Sequence, residues 1–367
     1  MYLHPIQDTM PRISHTSLGG HLLEEALAYL IRRSGYTLLV DVSQDPETLA
    51  NRGNGLVVKG RGGEHQVDVL GELDWIPAFT FPLRLFLEAK FRREKTGIPS
   101  VRNAVGVLAD LNQRYARTSK GPLVRRFRYA YTLFSTSGFT APAASMAFAH
   151  EISLVDLSGR DYQSLRDAVT SAAESILGPS GPRIEPETPL EETGSETGGR
   201  LIASMREVIR EELGTNPLGP RELQVDPLGL KQKLDGLITA TKETGDLFVG
   251  MASGPYMLAI KSSNKDAFLG RMRRDPVLNV RIHWSTDVEN GRRWVMIPTD
   301  GDGGFELSFS VPEDIGDWVF SEEGGSVTKA LSFKRRMLPH IFIPFRDENG
   351  RDSLFRLDYD DSDRRGG

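Results

Sequence analysis

The stretch LRLFLEAKF (83–91) decides how the first half of the chain is interpreted. Leucines at 83, 85 and 87 alternate with other residues, and this period of two predicts a strand. Glu88 and Lys90 are also two positions apart, so both side chains project from one face of that strand. Glu-x-Lys occurs at no other position in the 367 residues, and Asp-x-Lys does not occur. By itself the triplet also fits a surface strand that carries an ordinary ion pair.

The run VDVLGEL (67–73) predicts a second strand, and it places Asp68 20 positions before Glu88. If the two strands pair, Asp68 joins Glu88 and Lys90 at one strand end. Two carboxylates can bind Mg²⁺, or Mn²⁺ in its place, through oxygen. A lysine ammonium can orient an attacking water or stabilise charge on a phosphate. Asp68, Glu88 and Lys90 together therefore have the chemistry that phosphodiester hydrolysis needs.

Six blocks of sequence around these strands follow one another as a helix, two strands, a second helix, a strand that runs into Ser-Gly-Phe-Thr, and a closing strand. They are LLEEALAYLIRRSGY (22–36), VDVLGE (67–72), LEAKF (87–91), VRNAVGVLADL (101–111), YTLFSTSGFTAPAASMAFA (131–149) and ISLVDL (152–157). This order resembles the Mrr-like restriction endonucleases of the PD-(D/E)xK nuclease superfamily. The resemblance covers about residues 18–175 and none of the C-terminal half. Val67 and Ala89 depart from the commoner proline and cysteine, but neither change removes a ligand.

The resemblance implies an α/β (α+β) restriction-endonuclease-like domain, with a central mixed sheet flanked by helices. It also implies an endodeoxyribonuclease, a hydrolase that cuts double-stranded DNA with Mg²⁺ in restriction or anti-phage defence. Carried over to this sequence, the resemblance implies metal ligation by Asp68 and Glu88, catalytic roles for these two residues and Lys90, and support of the catalytic set by the helical Glu24. Because Ala28 and Ile31 lie on the same helix face as Glu24, we place Glu24 on the inner side and Glu25 on the outer side. An ion pair between Glu24 and a nearby arginine is an equally good interpretation.

Basic residues are concentrated around the Glu-x-Lys strand. Between residues 84 and 128 there are 12 basic and 3 acidic residues, although the net charge of the whole chain is −5. Such an excess is typical of a surface that faces phosphates, and a solvated protein face is the alternative. The residues that we expect to contact the DNA backbone near the cleaved bond, without reading base sequence, are Arg92, Arg93, Lys95 and Arg102.

The composition predicts two domains and a linker. Residues 178–200 are rich in Pro, Gly, Glu, Ser and Thr, which is typical of a flexible linker. Residues 12–177 would form the nuclease domain. Residues 201–367 begin with amphipathic helical stretches and then give short alternating runs, which predict a strand-rich α+β specificity or sensor domain of no family that we recognise. These runs are YMLAIK, VRIHWS, RWVMIP, FELSFS and HIFIPF.

The remaining expectations come from what the sequence lacks and from what DNA cleavage needs. The absence of cysteine excludes disulfides, thiolate zinc sites and cysteine nucleophiles. No run of 18 apolar residues and no secretory leader are present, so we expect no membrane contact and a cytoplasmic location. Cutting both strands with one site per chain favours a homodimer or higher oligomer. A protein of the same defence system is a further candidate partner.

A second class of function competes with the nuclease. A catalytically silent or partner-activated DNA-binding subunit of a defence complex could keep the nuclease fold as a scaffold. The intact set of Asp68, Glu88 and Lys90 argues against this alternative, because several charges on one strand face are costly unless they have a use.

Overall fold

The computed structural model describes residues 13–53, 55–74, 81–114, 127–178, 196–216, 229–252, 257–287, 291–301, 304–311 and 326–360. The helices in these ranges are α1 (His15–Arg33), α2 (Ile98–Asn112), α3 (Ala141–Ala149), α4 (Gln163–Leu177), α5 (Glu196–Leu213), α6 (Leu230–Glu243), α7 (Lys265–Arg274) and α8 (Ser326–Met337). The strands of the first half are β1 (Tyr36–Leu38), β2 (Leu49–Arg52), β3 (Gly55–Lys59), β4 (Glu64–Gln66), β5 (Val69–Leu73), β6 (Leu83–Lys90), β7 (Arg128–Ser135) and β8 (Ser153–Asp156). Those of the second half are β9 (Leu247–Ala252), β10 (Met257–Ser262), β11 (Val277–Asp287), β12 (Gly291–Pro298), β13 (Leu307–Phe309), β14 (His340–Arg346) and β15 (Asp352–Tyr359).

A central sheet of five strands has the order β1-β5-β6-β7-β8. Strands β1, β5 and β6 are antiparallel neighbours, whereas β6, β7 and β8 run parallel. Successive side chains of β6 point to opposite faces, so they enter two different cores. Leu85 and Leu87 pack with α1 and α4, and Phe86 packs with α2 and α3. The predicted mixed sheet with helices on both faces is therefore present.

Local sequence signals define both ends of helix α1. The Ser14 hydroxyl caps its first turn by accepting from the Ser17 backbone N–H at 3.0 Å. Its leucines and Ile31 enter the core below the sheet. The helix ends before Gly35, which has φ of +76° and so turns the chain into β1 at a conformation that side chains other than glycine rarely adopt.

The C-terminal half forms a closed barrel with the strand order β10-β13-β12-β11-β15-β14-β9. Neighbouring strands are antiparallel except β11 and β15, which are parallel. The interior is filled by fully buried side chains that include Trp294, Phe309 and Ile341. Each of the five short runs predicted to be strands in this half has at least half of its residues in a barrel strand, so the expectation of a strand-rich α+β region is confirmed.

Helices α5 and α6 connect the two halves. The apolar face of α5, with Met205, Val208 and Ile209, belongs to the same core as α1 and α4. That core therefore contains residues on both sides of the predicted linker. Helix α5 begins at Glu196, inside the predicted linker, and residues 179–195 lie outside the described residues. None of the helices that the structure describes is long and apolar enough to cross a membrane.

Candidate active site

Asp68, Glu88 and Lys90 lie together where strand β5 begins and strand β6 ends. The antiparallel register pairs Val69 with Leu87, which places Asp68 beside Glu88. The Ala89 backbone N–H donates to the Asp68 Oδ2 atom at 2.8 Å. The Lys90 ammonium forms an ion pair with Oε1 of Glu88, so these two side chains do share one face of the strand. The period of two in the sequence predicted this convergence.

Tyr131 of β7 holds the second oxygen of Glu88. Its hydroxyl donates to Glu88 Oε2 at 2.5 Å, and its ring stacks on Phe86 with 4.8 Å between centroids. Burial, followed by the neighbouring Glu88 carboxylate, raises the pKa of Tyr131, so the hydroxyl remains a donor. We did not foresee this residue, because nothing in the run YTLFS shows which neighbouring strand its side chain will contact.

Glu24 of α1 is the fourth predicted site residue, and it is paired with an arginine. His21 Nδ1 lies 3.2 Å from both of its carboxylate oxygens, and Arg206 of α5 donates to Oε2 at 2.5 Å. The sequence left open whether Glu24 supports the catalytic set or pairs with an arginine. The ion pair is present, and Glu24 is also close enough to Asp68 to act on its charge.

Glu25 is buried, so its expected position on the outer side of α1 is wrong. Only 2% of the residue is exposed. Arg210 of α5 donates to both of its carboxylate oxygens, at 2.7 and 2.8 Å. The helical spacing of α1 identifies its most apolar face, but it does not reveal that α5 covers the neighbouring face.

The electrostatics of Asp68 distinguish this site from an ordinary ion pair. Burial, together with the charges of Glu24 and Glu88, raises the pKa of Asp68 to about 7, against the opposing effects of the Ala89 hydrogen bond and of Lys90. Like charges that lie together in a partly desolvated place favour a bound cation. Glu24, Asp68 and Arg206 line one cleft, which β1 and β3 complete.

A two-carboxylate site fits Mg²⁺ better than a metal that needs a full cage of protein ligands. Within the part of the chain that the structure describes, no cluster of three or more His, Cys, Asp or Glu residues is arranged to hold a metal. Mg²⁺ commonly binds through one or two carboxylates and keeps several waters. Asp68 and Glu88, whose charges already act on each other, are the residues that suit it.

The four predicted DNA-binding residues follow β6 in the chain. Arg92, Arg93 and Lys95 are exposed in the segment between β6 and α2, and Arg102 is exposed on α2. Other members of the basic stretch have different roles. Arg84 is buried in a network of ion pairs, and Arg114 donates to backbone carbonyls of residues 47 and 59. Residues 115–126 lie outside the described residues.

The chain resembles few known proteins. No protein-family model matches it, and no curated protein is significantly similar to it. One solved structure that matches is the crystal structure of a protein of unknown function, AF1548. The match covers 61% of this chain and 97% of that chain, with 14% sequence identity and a TM-score of 0.30. A TM-score of this size assigns neither fold nor function.

Proposed function

We propose that this protein is a Mg²⁺-dependent endonuclease that hydrolyses phosphodiester bonds of double-stranded DNA. The observation that carries the proposal is the convergence of Asp68, Glu88 and Lys90 where β5 begins and β6 ends. An α-β-β-β-α-β order, built from α1, β1, β5, β6, α2 and β7, supports a restriction-endonuclease-like fold of the Mrr-like type. Restriction or anti-phage defence is the setting that this resemblance suggests.

Each residue of the set has a role that its contacts support. Asp68 and Glu88 would hold the metal, which when bound supplies a Lewis acid and lowers the pKa of coordinated water. The Ala89 N–H fixes one oxygen of Asp68, and the Tyr131 hydroxyl and the Lys90 ammonium contact the two oxygens of Glu88. Lys90 lies beside Glu88 with its charge near the place where a phosphate would gain negative charge during hydrolysis.

The substrate class follows from the charges that border the site. The exposed Arg92 and Arg93 directly follow the catalytic strand, and Arg102 lies on the next helix. Cations without a base-reading geometry bind the phosphate backbone, and such binding weakens as salt increases. We therefore propose that double-stranded DNA binds across the end of β6 and the start of α2, in the cytoplasm. One site per chain favours a homodimer, and a defence-system protein is the candidate activator.

The test is digestion of plasmid and phage DNA, methylated and unmethylated, by wild-type protein and by Lys90→Ala, with Mg²⁺ or with EDTA. We expect cutting by the wild type in Mg²⁺ alone, and a loss of at least about 100-fold in Lys90→Ala. Lys242→Ala is the matched control, because Lys242 is exposed and lies on α6, which carries none of the proposed site residues. It should cut like the wild type.

A different result would favour the scaffold alternative. If neither protein cuts any substrate while both bind DNA with equal affinity, the chain is a DNA-binding subunit or needs an activator. Addition of other proteins of the same defence system then separates these two cases. Light scattering of the protein with DNA bound tests the oligomer, and a monomer mass would contradict the proposed dimer.

A further inference from the structure

Two arginines of α5 lie on two adjacent glutamates of α1. Arg206 contacts Glu24 at 2.5 Å, and its Nε atom is 3.3 Å from Glu25. Arg210, about one turn further along α5, forms a bidentate pair with Glu25. Both glutamates are nearly inaccessible, with 7% and 2% of each residue exposed. These contacts join residues that are more than 180 positions apart in the chain.

The Arg206 pair differs from the Arg210 pair in its surroundings. Both arginines and both glutamates line the cleft that Asp68 lines, but Glu24 is the glutamate whose charge raises the pKa of Asp68. Arg206 is therefore the counter-cation of a carboxylate that acts on a proposed metal ligand. Arg210 instead makes its bidentate contact with Glu25, and that pair stabilises the docking of α5. The two arginines thus differ in the carboxylate that each one binds most closely.

We propose that Arg206 competes electrostatically with a divalent cation at this site, so that metal binding by Asp68 and Glu88 weakens the contact of α5 with α1. The inference rests on the proposed function, because it needs the metal site. A divalent cation held by Asp68 and Glu88 would attract the nearby Glu24 carboxylate and repel the guanidinium that Glu24 binds. Arg206 is then a positioning residue for Glu24, and α5 reports the occupancy of the site to the C-terminal half.

Linkage makes this coupling reciprocal. If docked α5 lowers the affinity of the site for metal by some factor, bound metal must favour the opening of α5 by the same factor. Apolar burial of Met205, Val208 and Ile209 keeps the helix attached, so the expected change is local opening. Amide hydrogen exchange over residues 201–213 measures that opening.

The first experiment uses the unmodified full-length protein and Mn²⁺ alone. We expect saturating Mn²⁺ to accelerate amide exchange in α5 by roughly five-fold or more, with no acceleration in the barrel strand β12. Asp68→Asn, which removes a proposed ligand, should abolish the acceleration. If Mn²⁺ binds the wild type and exchange in α5 is unchanged or slower, the inference is wrong while the metal site stands.

The second experiment compares three variants by titration calorimetry with Mn²⁺ at pH 8. Arg206→Gln should bind Mn²⁺ roughly five-fold more tightly or better, whereas Arg206→Lys, which keeps the charge, should resemble the wild type. Arg210→Gln is the matched control on the same helix, and its affinity should stay within about two-fold of the wild type. Equal affinities in Arg206→Gln and the wild type would overturn the inference. Absence of Mn²⁺ binding to the wild type would overturn the proposed metal site together with it.

Discussion

The two ends of strand β6 both carry charged side chains, but the two groups are built differently. At the first end, the guanidinium of Arg84, 2% exposed, donates to Asp45 and Glu72 at 2.7 to 3.1 Å and lies over the ring of Phe127. At the other end, the carboxylates of Asp68 and Glu88 lie together near Lys90. Arg84 and Glu88 are four positions apart, which is about 13 Å along a strand.

The pKa shifts at the two ends have opposite signs. Burial would raise the pKa of Asp45, but hydrogen bonds from Thr48 and Arg84, with the charge of Arg84, outweigh burial and lower it. Burial and like charge raise the pKa of Asp68 to about 7. A carboxylate whose charged form is stabilised by its surroundings adds to the stability of the fold. A carboxylate whose charged form is destabilised lowers that stability, and such groups cluster at binding and catalytic sites. The charge at the Arg84 end of β6 therefore stabilises the fold, and the charge at the Glu88 end is the one that we propose to be functional.

The largest effect is expected at the structural end. Arg84→Met should lower the free energy of unfolding by about 3–5 kcal/mol at pH 7, because Asp45 and Glu72 would lose their buried partner. Urea denaturation followed by circular dichroism measures this change. A loss below about 1 kcal/mol would show that water replaces the guanidinium, and it would contradict a stabilising role for the ion pairs of Arg84.

Asp68→Asn should stabilise the metal-free protein in a way that depends on pH. The pKa of Asp68 is about 7 in the fold and near 3.8 when unfolded, so the folded state binds more protons between these values and stability falls as pH rises through that window. In EDTA the variant should gain on the order of 2 kcal/mol at pH 8, and almost none at pH 4. Thermal denaturation at both pH values measures the difference. An equal gain at both values would contradict a raised pKa.

Tyr131→Phe tests the contact that fixes Glu88. The substitution keeps the ring and its stacking on Phe86 and removes only the hydroxyl. We expect the rate of DNA cleavage to fall about 10-fold, which corresponds to ~1.4 kcal/mol in the barrier. Tyr129→Phe is the matched control, because that hydroxyl faces Arg84 at the other end. Its cleavage rate should equal that of the wild type, and equal losses in both variants would indicate a general effect on β7.

The smallest effect is expected at an exposed ion pair. Arg52 donates to both oxygens of Glu64 at 2.7 and 2.8 Å, but its side chain is 64% exposed. Arg52→Gln should change the free energy of unfolding by less than about 0.5 kcal/mol, because solvent screens such pairs. The same urea titration serves as the measurement. A loss as large as that of Arg84→Met would show that burial does not explain the difference between the two pairs.

Local patterns in the sequence predicted most of the site and much of the fold. The period of two in LRLFLEAKF identified β6 and placed Glu88 and Lys90 on one face, and the helical spacing of residues 22–31 identified α1. These patterns depend only on neighbouring residues and on the geometry of a single element. The same is true of the short strands that became parts of the barrel.

Only the tertiary structure decided which elements meet. The pairing of Arg206 with Glu24, the burial of Glu25 and the contact of Tyr131 with Glu88 join segments far apart in the chain. Closure of the barrel likewise needs β9 and the parallel pairing of β11 with β15. The sequence around these strands does not indicate which strands they pair with. Side-chain periodicity specifies which face of an element is apolar, whereas the partner of that face depends on packing of the whole chain.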